Sequence, residues 1–319
     1  MSSQFLRLRV TAAEEAAHNI RCFELRHPQG QPLPAFTAGA HIAVKTPSGA
    51  TRQYSLCNDP SETERYRIAV KREGQGRGGS LSLVDGVQVG DSIEVGPPQN
   101  QFALDDRAKE VLLIAGGIGI TPLMAMARQL EAESRRYKLL YLTRDAKSTA
   151  FLEELSQPPW ASKVKIHHDG GDPARALDLW PWLEKPGSIA GLQLYCCGPT
   201  GLMDAVRDMT GHWPAQAVHF ESFAVDGRQQ ADDQSFEVQL NSSGQIMEVP
   251  ADSSILQVLR NHGIAVPFSC ESGTCGSCKT GLIEGEPDHR DLVLLDEEKS
   301  HRIMVCVSRA RGGRLVLDL

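Results

Sequence analysis

The sequence predicts a multidomain chain of three modules in series: an antiparallel β-barrel, a doubly wound α/β unit, and a compact α+β unit closing around four cysteines. Three observations carry this. Short strand-like segments broken by Gly, Pro and Asn crowd the first third of the chain. Apolar strands alternate with helices through the middle, and a cysteine run with ligand spacing stands near the end. The expected modules are residues 1–104, 105–225 and 236–319, with 226–235 as a polar linker.

In the first module the candidate strands are Leu6–Val10, Arg21–Leu25, His41–Lys45, Thr51–Leu56, Arg65–Lys71 and Ser92–Val95, and Pro97-Pro98 ends the run. Short strands so closely spaced close most readily into a barrel. Within Arg52-Gln53-Tyr54-Ser55, strand alternation sends Arg52 and Tyr54 to one face. A cation and a flat ring there suit a phosphorylated aromatic ligand, although an ordinary polar strand face has the same pattern. Ala69-Val70-Lys71-Arg72 leads towards Gly76-Arg77-Gly78-Gly79-Ser80, and Ser80 opens the apolar segment Leu81–Val84. That reads either as a helix N-terminus offered to an anion or as a hairpin tip.

The second module opens with the apolar run Val111–Ala115, as expected of a parallel strand covered on both faces. Gly116-Gly117-Ile118-Gly119-Ile120-Thr121-Pro122 follows, with Thr121 expected as N-cap and Pro122 as first residue of a helix towards Glu131. Further strands are expected at Lys138–Leu142, Val164–His167, Gln193–Cys197 and Val218–Phe220, with a helix from Thr200 to Met209. The glycine turn departs from G-x-G-x-x-G, since no glycine fills the third place. It still joins a buried strand to a helix N-terminus, where a pyrophosphate binds. Cys197-Gly198-Pro199-Thr200 is a second such loop on the same sheet edge, and the two together mark a ligand crevice. Cys196 is expected to be a buried thiol and Cys197 to face the crevice; Cys22 and Cys57 read as small buried residues in strands.

The third module carries Cys270-x4-Cys275-x2-Cys278 and a distant Cys306. This is the plant-type spacing for four thiolates on a [2Fe–2S] cluster. Gly273 and Gly276 suit the positive-φ turns that a tight wrap demands. Structural zinc is the competing reading, though zinc sites usually present two short Cys pairs and one is present here. Around the loop, Phe236–Leu240 and Gln245–Val249 read as a hairpin. Asp252 or Ser253 should cap a helix that Gly263 stops, and Ile303–Val307, carrying Cys306, and Arg314–Leu317 should be late strands.

Composition sets outer limits. The 319 residues are 41% hydrophobic and 23% charged, as in ordinary globular proteins. A formal net charge of −7 disfavours nucleic acid or an anionic membrane as partner. No apolar run is long enough to span a bilayer and the first residues lack a signal-peptide core, so a cytoplasmic location is expected.

In order and spacing these motifs resemble the phthalate dioxygenase reductase family, which includes the vanillate O-demethylase reductases. The resemblance covers essentially the whole chain. It implies an FMN-binding barrel, an NADH-binding α/β domain and a ferredoxin-like β-grasp [2Fe–2S] domain. Arg52, Gln53, Tyr54 and Ser55 match the flavin motif, with Gln53 where the family often has Thr. Ala69, Val70 and Lys71 match the segment around the isoalloxazine, and Gly78, Gly79 and Ser80 that around the FMN phosphate. Phe223 matches an aromatic near the flavin ring. Gly116, Gly117, Gly119, Thr121 and Pro122 match the nicotinamide-domain loop, and Cys197, Gly198 and Pro199 the loop near the nicotinamide. Arg144 is a plausible ribose or phosphate contact. Cys270, Cys275, Cys278 and Cys306 are the implied cluster ligands. His167-His168-Asp169 offers an acid and no basic cluster, which favours NADH over NADPH.

The implied work is to split a hydride into single electrons, by way of a flavin, for a cluster that accepts one at a time. Hydride transfer needs no general acid or base, so no catalytic residue of that kind is expected. The implied partner is a Rieske-type terminal oxygenase acting on an aromatic acid. Two other readings stand beside it: a self-contained NADH reductase of a small acceptor, and a non-enzymatic module with structural zinc.

Overall fold

In the computed structural model the described residues are 5–74, 78–188, 190–223, 233–268, 273, 276–291 and 293–319. The chain divides into two compact units, Met1–Glu221 and Ser222–Leu319.

The first unit begins with β1 (Leu6–Ala17), β2 (Ile20–Arg26), β3 (His41–Lys45), β4 (Thr51–Ser55), β5 (Tyr66–Lys71) and β6 (Ser92–Val95). They lie in the order β4-β3-β6-β1-β2-β5, and a Leu56–Ile68 bridge joins the two ends into a barrel. Alternation explains the core: Phe23, Leu25, Ile42, Val44, Ile68 and Val70 point inward, and Leu83 of helix α1 (Gly79–Gly86) plugs one end. β1 runs well past the expected Val10, because a register shift between Val10 and Ala12 lets its polar second half keep pairing with β2.

The expected parallel sheet follows: β7 (Glu110–Gly116), β8 (Arg136–Thr143), β9 (Val164–His168), β10 (Leu192–Cys197) and β11 (Val218–Glu221). Its order is β11-β10-β7-β8-β9, every pair parallel. The crossovers carry α2 (Ile120–Ala132), the single turns α3 (Leu152–Leu155) and α4 (Trp180–Leu183), and α5 (Thr200–Met209). α2 is buried on nearly every side. Its Leu123, Met124 and Met126 share one core with Leu113 and Tyr195 of the sheet and with Ile20, Cys57 and Ala69 of the barrel. A helix that is apolar all round belongs between two layers, and α2 lies between barrel and sheet.

α2 also begins earlier than expected. A 3-10 turn at Gly117–Gly119 runs straight into Ile120, so Gly119 holds the cap position and the Thr121 hydroxyl instead bonds the Ile118 carbonyl at 3.0 Å.

The second unit contains β12 (Phe236–Leu240), β13 (Ile246–Val249), α6 (Ile255–Asn261), β14 (Lys279–Glu284), β15 (Pro287–Asp288), β16 (Arg302–Met304), β17 (Arg309–Ala310) and β18 (Arg314–Asp318). Its main sheet runs β13-β12-β18-β14-β16, with β12–β18 parallel and the other pairs antiparallel. α6 lays Ile255, Leu256 and Leu259 into the core of this β-grasp. Ser254, not Asp252 or Ser253, caps it by accepting the Gln257 N–H at 3.1 Å, because the preceding turn is closed by Ser253 N–H to Pro250 O. Gly263 follows the helix at φ +75°, as expected of its stop signal. β14 was hidden by Gly281 in the middle of its apolar alternation. A side chain there would strike Asp318 of the neighbouring β18.

Arg309 pins this unit internally. It is 4% exposed and donates to the carbonyls of Ser253 (2.8 Å), Gln234 (3.0 Å) and Pro250 (3.1 Å). Asp233 binds Arg290 with both oxygens, at 2.9 and 2.6 Å. The end of the stretch read as linker is thus bound into the second unit.

Candidate functional site

On the barrel, β4 presents Arg52 and Tyr54 on one side, both half-buried, while Gln53 is exposed and Ser55 buried. Arg52 lies against the start of α1: a side chain at Gly79 would meet its Cγ and Nε at 3.0 Å. The structure therefore brings the Arg-x-Tyr strand to the glycine turn, two motifs well apart in sequence. Burial, opposed by the Arg52 charge, pushes the Tyr54 phenol up to about 12, so it stays neutral and able to donate. Gly78, at φ +78°, turns the chain into α1, whose first turn holds no acid. This agrees with a helix N-terminus at the turn, and the cap is Gly78 rather than Ser80. Ser80 Oγ instead accepts the Glu73 N–H at 3.2 Å. A helix N-terminus with no acid in its first turn and a neighbouring guanidinium suit a phosphate. Ala69 and Val70 are buried on opposite faces of β5, and Lys71 is exposed, paired with Glu73 at 3.1 Å. Phe223, two residues past β11, is 40% exposed.

On the sheet, the two glycine loops meet backbone to backbone. A Cβ at Gly116 would fall 2.6 Å from Pro199 Cδ, one at Gly198 would fall 2.9 Å from Gly116 Cα, and one at Gly119 would overlap the Cys197 carbonyl. Gly117 takes φ +53° at the turn. The loops leave adjacent strands β7 and β10, so the crevice expected at their carboxyl ends is present. Thr121 and Pro122 are buried behind it. Cys197 does not face the crevice: it is fully buried in the α2 core, because on β10 its side chain alternates with that of Cys196 and both faces of the sheet are covered. Burial, with help from the Glu221 charge, holds its thiol well above the usual range. Ser55 reaches Glu221 at 3.5 Å, a link between barrel and sheet that no local sequence signal announced.

Arg144 is exposed just beyond β8, its Nε 3.1 Å from where a Gly171 side chain would begin. Arg175 has Nη1 2.8 Å from the corresponding point on Gly170. Arg144 and Arg175 therefore both lie against the turn after β9, where the sequence suggested no basic cluster. Asp172-Pro173 was the available signal: Asp172 caps a 3-10 turn that folds Arg175 back over Gly170. Asp169 accepts the Gly171 N–H at 2.7 Å. His167 and His168 bond to Arg175 O and Thr143 Oγ1, as befits structural histidines.

In the second unit, Cys278 stands immediately before β14, and Cys306 lies in a turn just past β16 rather than on a strand. β14 and β16 pair Lys279 with Met304, so the two thiols come to neighbouring strand ends, 2% and 5% exposed. The Leu256 N–H to Val305 O bond, 2.8 Å, ties the Cys306 turn to α6. Gly273 (φ +68°) and Gly276 (φ +77°) have the left-handed conformation expected of them. Cys270 and Cys275 lie outside the described residues. Two buried soft donors, Cys278 after a glycine-turned loop and Cys306 at the neighbouring strand end, suit an iron–sulfur cluster.

Two family models match this chain. The oxidoreductase FAD-binding domain covers residues 7–104 and the 2Fe-2S iron-sulfur cluster binding domain covers 238–311. The barrel, the crevice and the thiol loop thus define an iron–sulfur flavoprotein oxidoreductase. Over 316 residues the chain is 56% identical to the phthalate dioxygenase reductase of Burkholderia cepacia, covering 99% of this chain and 98% of that one. It is 40% identical over 314 residues to the vanillate O-demethylase oxidoreductase of Pseudomonas sp. (strain HR199 / DSM 7063), covering 97% and 98%. A solved structure of phthalate dioxygenase reductase, described as modular for electron transfer from pyridine nucleotides to [2Fe-2S], superposes with a TM-score of 0.81 at 56% identity over 99% of this chain and 98% of that one. The chain belongs to the phthalate dioxygenase reductase family. Among the described residues, no helix is long and apolar enough to cross a membrane.

Proposed function

We propose that the chain is the cytoplasmic, NADH-dependent reductase component of a Rieske-type aromatic oxygenase, with FMN as its flavin. The observation that carries this is the meeting of the two glycine loops at the carboxyl ends of β7 and β10, in one folded unit with the barrel that presents Arg52, Tyr54 and the α1 N-terminus. Modules 1–104, 105–225 and 236–319 would hold flavin, nicotinamide and cluster.

Arg52 and the N–H groups at Gly78, Gly79 and Ser80 would hold the flavin phosphate. Tyr54, Ser55, Ala69 and Val70 would line the ring, with Gln53, Lys71 and Phe223 beside it. Gly116, Gly117 and Gly119 would let the pyrophosphate approach the backbone, supported by Thr121 and Pro122, and Cys197, Gly198 and Pro199 would border the nicotinamide through their backbone. Cys270, Cys275, Cys278 and Cys306 would hold the cluster. A bound flavin accepts a hydride and releases electrons singly. The protein's part is to align the donor, exclude water and carry the cluster. The oxygenase partner is supported by the names of the relatives, reductases of phthalate dioxygenase and of vanillate O-demethylation.

A second reading concerns the coenzyme. Arg144 and Arg175 beside Gly170 and Gly171 are what a 2′-phosphate would want, whereas Asp169 suits a free ribose hydroxyl. The test is anaerobic reduction of the purified protein followed in the visible spectrum. NADH should bleach flavin and iron–sulfur bands together, with kcat/KM at least tenfold above NADPH. Faster bleaching by NADPH overturns the coenzyme assignment, and a colourless native protein overturns the electron path.

A further inference from the structure

The two histidines at the end of β9 do more than close the sheet. Adjacent residues of a strand point to opposite faces, so His167 and His168 leave β9 on opposite sides. His168 pairs across to Thr143 at the end of β8, and its Nδ1 lies 2.9 Å from Thr143 Oγ1. Thr143 Oγ1 lies 2.7 Å from Thr149 Oγ1, which lies 2.7 Å from the Asp145 carbonyl. The last link sets every direction. A carbonyl only accepts, so the one hydroxyl proton of Thr149 goes to Asp145 O and that of Thr143 goes to Thr149. His168 must then carry a proton on Nδ1 and donate it to Thr143. Thr143 and Thr149 are both buried. On the other face, His167 Nε2 donates to the Arg175 carbonyl at 2.7 Å.

Each ring thus fixes the backbone beside one arginine. His167 holds Arg175 itself, and His168, through two threonines, holds the residue after Arg144. A Gly170 N–H to Arg144 O bond of 2.8 Å locks the two loops together. Gly170 and Gly171 take φ +71° and +80°, and their lack of side chains lets both guanidinium groups lie over one turn. β8 and β9 run parallel to β7 and β10, so this turn stands on the sheet edge where the glycine-loop crevice opens. We propose that His167 and His168 are positioning residues for coenzyme binding, holding Arg175 and Arg144 where their guanidinium groups receive the adenosine diphosphate end of NADH. This rests on the coenzyme reading above. Both arginines are exposed, and fixing their backbone before binding leaves less freedom to be lost on binding. The transferred hydride is at the other end of the coenzyme, so the effect falls on affinity and not on the transfer step.

The test is anaerobic stopped-flow reduction of the flavin in the holoprotein at varied NADH. His168→Ala and His167→Ala should each raise the half-saturating NADH concentration about fivefold, as loss of one hydrogen bond does. The limiting rate should stay within about twofold of wild type. His168→Asn keeps an N–H where Nδ1 stands and His167→Gln keeps one where Nε2 stands, so both should bind NADH within about twofold of wild type. Arg144→Ala should itself weaken NADH, and adding His168→Ala to it should change nothing further, because residues acting through one another do not add. Should His168→Ala misfold, Thr149→Val takes its place, keeping the shape and cutting the link to Asp145. Four results overturn the proposal: unchanged affinity in the alanine variants, affinity and limiting rate falling together, no rescue by Asn or Gln, or Arg144 and His168 effects that multiply. Wild-type affinity in Arg144→Ala would overturn it at its base, the arginine contact with coenzyme. A wild-type flavin that NADH does not bleach would overturn the electron path instead.

Discussion

Single residues divide into those whose chemistry can be read locally and those that matter only through a distant neighbour. Cys278 and Cys306 are of the first kind: their spacing pattern announced them, and the fold sets both thiols at neighbouring strand ends. Replacing Cys278 by Ser should abolish the iron–sulfur absorption while NADH still bleaches the flavin. Gly119 is of the second kind, since nothing around it in sequence tells of the Cys197 carbonyl above it. Gly119→Ala should cost about 1–3 kcal/mol in thermal unfolding, as overpacking does, and raise the KM for NADH. Glu24 is another. Burial opposes its charge, but Arg26 at 2.8 Å, Arg65 at 2.6 Å and Thr11 at 2.9 Å prevail and hold the carboxyl at about 2. A depressed carboxylate adds stability that is full above its unfolded pKa of ~4.3 and is lost as pH falls towards the folded value. Glu24→Gln should therefore be less stable than wild type by about 1 kcal/mol at neutral pH, solvent screening keeping it that small. The gap should close near pH 2, as acid titration by circular dichroism would show.

At the scale of elements, the sequence served best where one face or one period dominates. β3 and α5 have the expected ends because apolar alternation, or a Pro before the first turn, marks them sharply. α2 was legible as a helix but not in its first residue, since a 3-10 turn with its own hydrogen bonds runs into it. β14 was missed because Gly281 interrupts the pattern for a reason that lies on β18. Cys197 was misplaced for a related reason: loop proximity suggested exposure, whereas strand alternation decides where the side chain goes. Arg309, at 4% exposure among three carbonyls, is an element-scale tie that joins the start of β12, the turn before α6 and β17. Arg309→Met strands those carbonyls, while Asp233 keeps both its bonds to Arg290. It should lower the unfolding free energy of the second unit by about 3 kcal/mol, the cost of leaving buried acceptors unmet, with flavin reduction by NADH unchanged.

The order of modules along the chain was legible, because each has its own sequence period. How tightly they are joined was not, because the residues that join them look like ordinary core. Ile20, Cys57 and Ala69 of the barrel sit in the same core as α2 and the parallel sheet, while the second unit has a core of its own. Cutting the chain after Glu221 should yield a first fragment that NADH still bleaches and a second that keeps iron–sulfur absorption. A cut after Leu104 should yield insoluble or unfolded pieces, as gel filtration and circular dichroism would show.

Burial of α2 on nearly every side has a consequence for anyone building chimeras from relatives of this chain. A barrel transplanted alone would meet a foreign helix across its outer face. Residues on β2, β5 and the segment after β4 would have to travel with those of α2 as one inherited block. The productive crossover therefore lies beyond β11, even though the visible repeat of function, flavin then nicotinamide, invites a cut in the middle.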